Sequence, residues 1–96
     1  MAESRIKAAD VVKQAARQLS ELTGRAPEAV LGVERDESDN GHDDGWKVTM
    51  ELLEMQRVPN STDLLGCYVV KLDSDGELLE YRRMRRYQRG QADEDS

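Results

Sequence analysis

The fold is decided by a stretch near the end of the chain, residues 64–89, which reads LLGCYVVKLDSDGELLEYRRMRRYQR. Two strand-like runs, 64–72 and 77–89, flank the segment Asp73-Ser74-Asp75-Gly76. A short Asp-rich turn that ends in glycine, between two such runs, is typical of a β-hairpin. The sequence therefore predicts two neighbouring antiparallel strands here.

A third strand is predicted before the hairpin, at residues 46–58. It begins with alternating apolar and polar side chains, and the apolar positions are Trp46, Val48, Met50 and Leu52. The alternation then slips by one residue at Leu52-Leu53, as it does at a β-bulge. Met84 is also out of phase in the last strand, which indicates a second irregularity near Arg82-Arg83. Two slips favour a strongly curved sheet.

The beginning of the chain has the spacing of an amphipathic helix over residues 4–22. Its apolar stripe consists of Ala8, Val11, Val12, Ala15, Ala16, Leu19 and Leu22. Ser4 is a suitable N-cap, and Gly24, followed by Pro27, is a suitable stop. The alanines would let this helix lie close to a sheet.

The remaining segments complete the predicted architecture. Residues 28–35 form a short strand candidate, in which Gly32 marks a β-bulge or a place where another backbone segment comes close. Residues 36–45 contain no large apolar side chain and form an acidic loop, and residues 91–96 form a disordered acidic tail. The prediction is a single α+β domain over residues 1–96: an N-terminal amphipathic helix packed on a curved, mainly antiparallel sheet of about four strands.

Composition favours a cytoplasmic protein. The 96 residues contain no apolar run long enough to cross a membrane, and the first residues do not resemble a secretion signal, so no membrane contact is expected. The single cysteine, Cys67, cannot form an internal disulfide and lacks a second cysteine at zinc-site spacing.

Few residues suggest catalysis or metal binding. The only histidine, His42, lies in the acidic loop, away from Cys67 or any serine of a predicted strand or helix. The carboxylates of Glu51 and Glu54 are expected to pair with arginines or with solvent. We therefore expect a protein that is not an enzyme and has no cofactor, metal site or catalytic residue.

The most distinctive feature is the final strand, where five arginines fall within residues 82–89 of a chain with net charge −6. Arginines form planar, bidentate contacts with carboxylates or phosphates. They could pair across the sheet with acidic residues, the candidates being Glu34, Asp36, Glu51 and Glu80. They could instead bind nucleic acid or a protein partner. The acidic remainder of the chain disfavours nucleic acid. The candidate partner-binding residues are Tyr81, Arg82, Arg83, Arg85, Arg86, Tyr87 and Arg89.

Residues 45–94 resemble the gas vesicle protein O (GvpO) family. The resemblance begins with Gly45-Trp46, Glu54 and Arg57-Val58-Pro59. It continues through Asp63-Leu64-Leu65-Gly66-x-Tyr68, Leu72-Asp73 and Gly76-Glu77-Leu78, and ends with Tyr81-x-Arg83-x-x-Arg86-Tyr87-x-Arg89-Gly90. This pattern covers about half of the chain.

The resemblance implies an accessory protein of gas vesicle formation that acts in the cytoplasm. It implies no catalytic residue. It also implies contact with the major gas vesicle structural protein or with other gas vesicle accessory proteins. A nucleic-acid-binding regulator of gas vesicle production is the alternative. The family pattern includes Arg83, Arg86 and Arg89 but leaves out Arg82 and Arg85.

Overall fold

A computed structural model describes residues 7–36 and 45–91 as one helix and four strands. The elements are α1 (Ala8–Thr23), β1 (Ala26–Asp36), β2 (Gly45–Met55), β3 (Leu64–Leu72) and β4 (Leu78–Gln88), with 3₁₀ turns at Asn60–Thr62 and Arg89–Gln91. The strands form one sheet in the order β1-β2-β3-β4, and each adjacent pair is antiparallel. This confirms the predicted α+β fold.

The helix is shorter at its beginning than the 4–22 predicted. It begins at Ala8, after Lys7, which makes no side-chain capping bond. The predicted cap, Ser4, lies outside the described residues. At the other end, Gly24 adopts the left-handed conformation (φ 74°), and its N–H donates a 2.8 Å bond to the carbonyl oxygen of Ser20. The predicted glycine stop is therefore present.

The hairpin between β3 and β4 closes as its sequence indicates. One carboxylate oxygen of Asp73 accepts hydrogen bonds from the N–H groups of Asp75 and Glu77, both at 2.9 Å. Gly76 adopts a positive φ of 89°, which a residue with a side chain rarely tolerates. The side chain of Asp73 thus holds the turn together.

Strand boundaries differ from the prediction mainly in β1 and β2. β1 begins at Ala26, two residues earlier than predicted, and includes Pro27, which an edge strand tolerates. β2 ends at Met55 rather than residue 58, because the N–H of Arg57 turns away to donate a 2.7 Å bond to Asp63. Residues 37–44 of the acidic loop and 92–96 of the tail lie outside the described residues.

Both predicted irregularities have a register shift near them, although the first lies after Leu53 and not between Leu52 and Leu53 as predicted. One shift lies between Leu53 and Met55, which leaves Glu54 as the additional residue of β2. The adjacent β3 residues Cys67 and Tyr68 pair with Arg85 and Arg83 of β4. Met84, which lies between those two arginines, is therefore an additional residue of β4. These irregularities bring Glu54 and the arginines of β4 into their observed positions.

The hydrophobic core lies between α1 and one face of the sheet, which we call the helix face. Its buried members are Val11, Ala15 and Leu19 from α1, Val48, Met50 and Leu52 from β2, and Tyr68, Val70 and Leu72 from β3. Burying a Leu or Val side chain contributes roughly 1.5–3 kcal/mol. Packing of the central strands therefore fixes which side chains of β4 face the helix.

The opposite side of the sheet, the open face, carries no helix or strand among the described residues. Its side chains on the central strands are Lys47, Thr49, Glu51 and Leu53 of β2, and Leu65, Cys67, Val69 and Lys71 of β3. Within residues 7–36 and 45–91, no helix is long and apolar enough to span a membrane.

Candidate partner-binding surface

β4 distributes its arginines between the two faces of the sheet. On the helix face, the register pairs are Arg83 with Tyr68 and Arg86 with Gly66. On the open face, they are Arg82 with Val69 and Arg85 with Cys67. Side chains of directly opposed residues lie on the same face of a sheet. The arginine-rich segment therefore forms two surfaces instead of one.

On the helix face, three arginines surround the carboxylate of Glu54. Arg83 Nη1 donates a 2.9 Å hydrogen bond to Glu54 Oε1. The Nε atoms of Arg25 and Arg86 lie 3.8 Å and 3.9 Å from the same oxygen. The side chain of Glu54 is only 4% exposed, whereas the three arginine side chains are 39–47% exposed. A buried carboxylate thus organises three guanidiniums that reach the surface.

Tyr68 completes this cluster from the core side. Its hydroxyl donates a 2.6 Å hydrogen bond to Glu54 Oε2. Burial, together with that bond to a carboxylate, raises the pKa of Tyr68, so the hydroxyl remains a proton donor. The ring of Tyr81 lies 6.2 Å from the Tyr68 ring, at a tilt of 49°. Each oxygen of Glu54 therefore has a hydrogen-bond donor.

Arg89 is held at the end of β4 by two carboxylates. Its Nη1 lies 2.5 Å from Glu28 Oε2 and its Nη2 lies 2.9 Å from Asp63 Oδ2. The N–H of Arg57 and the guanidinium of Arg89 lower the pKa of the Asp63 carboxyl below its usual value. These contacts tie Arg89 to β1 and to the segment that precedes β3. We assign it a structural role.

On the open face, Tyr87 and Arg85 lie beside Glu51. The Tyr87 hydroxyl donates a hydrogen bond to Glu51 Oε2. Burial and this bond raise the pKa of Tyr87. The guanidinium carbon of Arg85 lies 4.9 Å from the centre of the Tyr87 ring, a cation–π distance. Burial also raises the pKa of the nearby Cys67 thiol, which disfavours a reactive thiolate.

Charged side chains continue across the open face in a row. The register runs from Glu34 to Lys47, Lys71 and Glu80 through all four strands. Lys47 Nζ lies 3.8 Å from Glu34, so this end of the row is paired. A shallow depression of about 500 Å³ lies at the other end, lined by Lys47, Val69, Lys71, Glu80, Tyr81 and Arg82. The face is therefore polar and carries both signs of charge.

Two of the four acidic partners proposed from sequence, Glu34 and Glu51, have other partners than the arginines of residues 82–89. Glu34 pairs with Lys47, and Glu51 bonds to Tyr87 instead of an arginine. Glu54 does pair with arginines, as predicted. Sequence reasoning missed Arg25, Glu28 and Asp63, because pairs separated by 26–61 residues leave no local pattern. The additional residue at the predicted bulge was the only signal that could have pointed to Glu54.

No group of three or more His, Cys, Asp or Glu side chains capable of holding a metal ion occurs within residues 7–36 and 45–91. His42 lies outside those ranges. The exposed side chains of β4 include guanidiniums, which bind anions and protein surfaces, together with Leu79, Glu80, Tyr81 and Met84.

Comparison with known proteins identifies the family. The family model described as "Gas vesicle synthesis protein GvpO" matches residues 1–93. "Gas vesicle protein O" of Streptomyces sp. (strain CB03234) is 48% identical over 83 residues, which are 86% of this chain and 60% of the relative. "Gas vesicle protein O" of Haloferax mediterranei is 38% identical over 64 residues, which are 67% of this chain and 44% of the relative.

A third relative, "Gas vesicle protein O1" of Halobacterium salinarum, is 35% identical over 54 residues, 56% of this chain and 45% of its own length. The chain thus spans 44–60% of the length of these relatives. No solved structure gives a significant match. The family match extends over the helix, the sheet and the arginine-rich strand, and the chain belongs to the gas vesicle synthesis protein GvpO family.

Proposed function

We propose that this chain is an accessory protein of gas vesicle assembly and that it binds another gas vesicle protein through the open face at β4. Membership of the GvpO family gives it a role related to gas vesicles. The named relatives are longer than this chain, so the contact proposed here concerns the domain that they share with it.

One observation carries the proposal: Arg82 and Arg85 are exposed, and neither forms an ion pair with any carboxylate in the described parts of the chain. Arg83, Arg86 and Arg89 do have such partners. Exposed arginine beside tyrosine is typical of the anchor residues of protein interfaces. The proposed contact therefore uses Arg82, Arg85 and Tyr87, whereas Tyr81 is paired with Val70 and lies on the helix face.

The partner that fits this surface is a protein with its own mixed, mainly acidic surface. We propose either the major gas vesicle structural protein or another accessory protein, and we expect the contact to form in the cytoplasm. A nucleic acid fits less well, because Glu34, Glu51 and Glu80 share the open face with its basic side chains. Such carboxylates would repel a phosphate backbone.

Affinity capture from vesicle-forming cells tests this proposal. The tagged protein, an Arg82→Gln/Arg85→Gln variant and a Lys13→Gln/Arg17→Gln variant would be compared, with bound protein and nucleic acid both analysed. The last variant removes the same charge from exposed positions on α1. We expect a gas vesicle protein to be retained by the wild type and the α1 variant and lost from the β4 variant.

Two results would count against the proposal. The β4 variant could retain gas vesicle proteins as well as the wild type does, or nucleic acid alone could be captured. Titration with labelled single- and double-stranded nucleic acid at two salt concentrations checks the second case, because binding to phosphates weakens steeply with salt.

A further inference from the structure

We propose that Arg25, Arg83 and Arg86 form a second binding site, on the helix face, for the carboxylates of an acidic segment of a partner protein. The inference goes beyond the proposed function, because this site lies on the opposite side of the sheet from Arg82 and Arg85. Binding here does not require the open face to bind anything.

The site carries an excess of positive charge. Three guanidiniums lie within 3.9 Å of one oxygen of Glu54. Among the described residues, Glu54 is the carboxylate with which each of them pairs. Three positive charges and one negative charge leave a net charge of +2. A structural ion pair would need only one of these arginines.

The site also has more hydrogen-bond donors than acceptors. Each guanidinium has five N–H groups, whereas a carboxylate has about four acceptor positions. Arg83 donates to Glu54, but Arg25 Nε is buried and has no hydrogen-bond partner. That Nε atom is itself inaccessible, so a ligand would contact the exposed parts of the three arginine side chains. The unused donors therefore indicate an acceptor supplied from outside.

The fold holds these donors in place before any ligand arrives. Arg25 follows the glycine stop of α1, and Arg83 and Arg86 come from β4. Glu54, fixed by Tyr68, lies between them and is nearly inaccessible. With 39–47% of each arginine side chain exposed, a carboxylate can reach the guanidiniums from solvent without displacing Glu54.

The size of the site favours a short acidic segment over nucleic acid. Grooves that bind single strands follow several nucleotides with basic side chains and stacking rings. Here the three guanidiniums converge on one oxygen atom, and the next cation in the chain, Arg89 just after β4, is already engaged by Glu28 and Asp63. One or two carboxylates of a peptide match this geometry.

Nuclear magnetic resonance of the arginine Nε–H groups tests the proposal directly. The probe is a hexaglutamate peptide blocked at both ends, with hexaglutamine and a ten-nucleotide oligo-dT as comparisons. We expect hexaglutamate to shift the Nε–H signals of Arg25 and Arg86, whereas hexaglutamine leaves them unchanged. Shifts confined to Arg82 and Arg85, or no shift at all, would overturn the inference.

Paired variants provide a second measurement. Arg25→Gln/Arg86→Gln retains the Arg83–Glu54 hydrogen bond, and Arg82→Gln/Arg85→Gln removes the same charge from the open face. The first variant loses hydrogen bonds to a charged ligand, so its Kd for hexaglutamate should rise at least about tenfold. The second variant keeps those bonds, and its Kd should rise less than about threefold. Circular dichroism verifies that both are folded.

Equal weakening by the two variants would show a general charge effect and would contradict the proposed site. Tighter binding of oligo-dT than of hexaglutamate, with the same loss in Arg25→Gln/Arg86→Gln, would assign the site to nucleic acid instead. Since the shifts are measured on the wild-type protein, the test does not depend on the folding of any variant.

Discussion

Glu54 lies directly over Gly66, and a Cβ atom at position 66 would overlap one of the carboxylate oxygens of Glu54. Glu54 belongs to β2, whereas its hydrogen-bonding partner Arg83 belongs to β4, with β3 between them. The absence of a side chain on Gly66 lets the carboxylate cross that strand. A single glycine thus permits the three-arginine cluster to form.

Gly66→Ala should therefore destabilise the protein. The added methyl group would push Glu54 from its position and also meet the ring of Tyr68, 2.9 Å away. Overpacking of this kind costs about 1–3 kcal/mol, which lowers the Tm of a domain this size by at least about 4 °C. Gly32→Ala is the matched control, since nothing lies within 4 Å of its Cβ position. Equal thermal unfolding curves for the two variants would contradict the role of Gly66.

Adjacent arginines of β4 should differ in their effect on stability. Arg83→Ala removes the 2.9 Å hydrogen bond to the buried carboxylate of Glu54 and should cost about 1 kcal/mol, because Arg83 is partly exposed. Arg82→Ala should change the free energy of unfolding by less than about 0.5 kcal/mol. Urea unfolding of both variants checks this difference, and an equal loss would contradict the division of β4 into two faces.

The contacts that some arginines make within the domain also limit which substitutions can be used to test partner binding. Replacing Arg83, Arg86 and Arg89 together would remove the arginines of residues 82–89 that match the family pattern. Each of the three contacts a carboxylate within the domain, so the variant would lose stability as well as any partner contact. Arg82 and Arg85 are better positions for testing an interface.

Much of the fold could be predicted because its signals are local. The stop at Gly24, the turn at Asp73–Gly76 and the alternation in β2 each depend on neighbouring residues. The irregularity in β2 was also visible in the sequence, where the alternation of apolar and polar side chains is interrupted. The end of β2 was predicted three residues late, because the bond between Arg57 and Asp63 depends on the path of the following loop.

The candidate site was less predictable, because charge pairing depends on the register between strands. The five arginines were evident as a cluster, but their assignment to faces required the position of the additional residue Met84. The contribution of Arg25 required knowing that the residue after the end of α1 lies near Glu54 of β2. Neither fact is contained in spacing along the chain.

Asp63 should make stability depend on pH in the acid range. Its folded-state pKa is lowered from the ordinary value of 3.8, chiefly by the N–H of Arg57 and then by Arg89. A lowered folded pKa contributes stability that is fully present above the unfolded pKa and is lost as pH falls through the folded pKa. The stability difference between wild type and Asp63→Asn should therefore be constant near neutral pH and should shrink below about pH 4.

Urea unfolding from about pH 7 to about pH 2 measures that difference, if the unfolded baseline is recorded at each pH. Glu34→Gln, a substitution at an exposed position paired with Lys47, provides a comparison with little expected effect. A difference between wild type and Asp63→Asn that stays constant throughout the acid range would contradict the proposed origin of the lowered pKa.

The central claim is that Arg82 and Arg85 contact a gas vesicle protein during assembly. It is tested most directly by vesicle yield in a vesicle-forming host that carries Arg82→Ala/Arg85→Ala, compared with Lys13→Ala/Arg17→Ala. At equal levels of folded protein, we predict a clear loss of vesicles for the β4 variant and wild-type yield for the α1 variant. Wild-type yield from the β4 variant would contradict the claim.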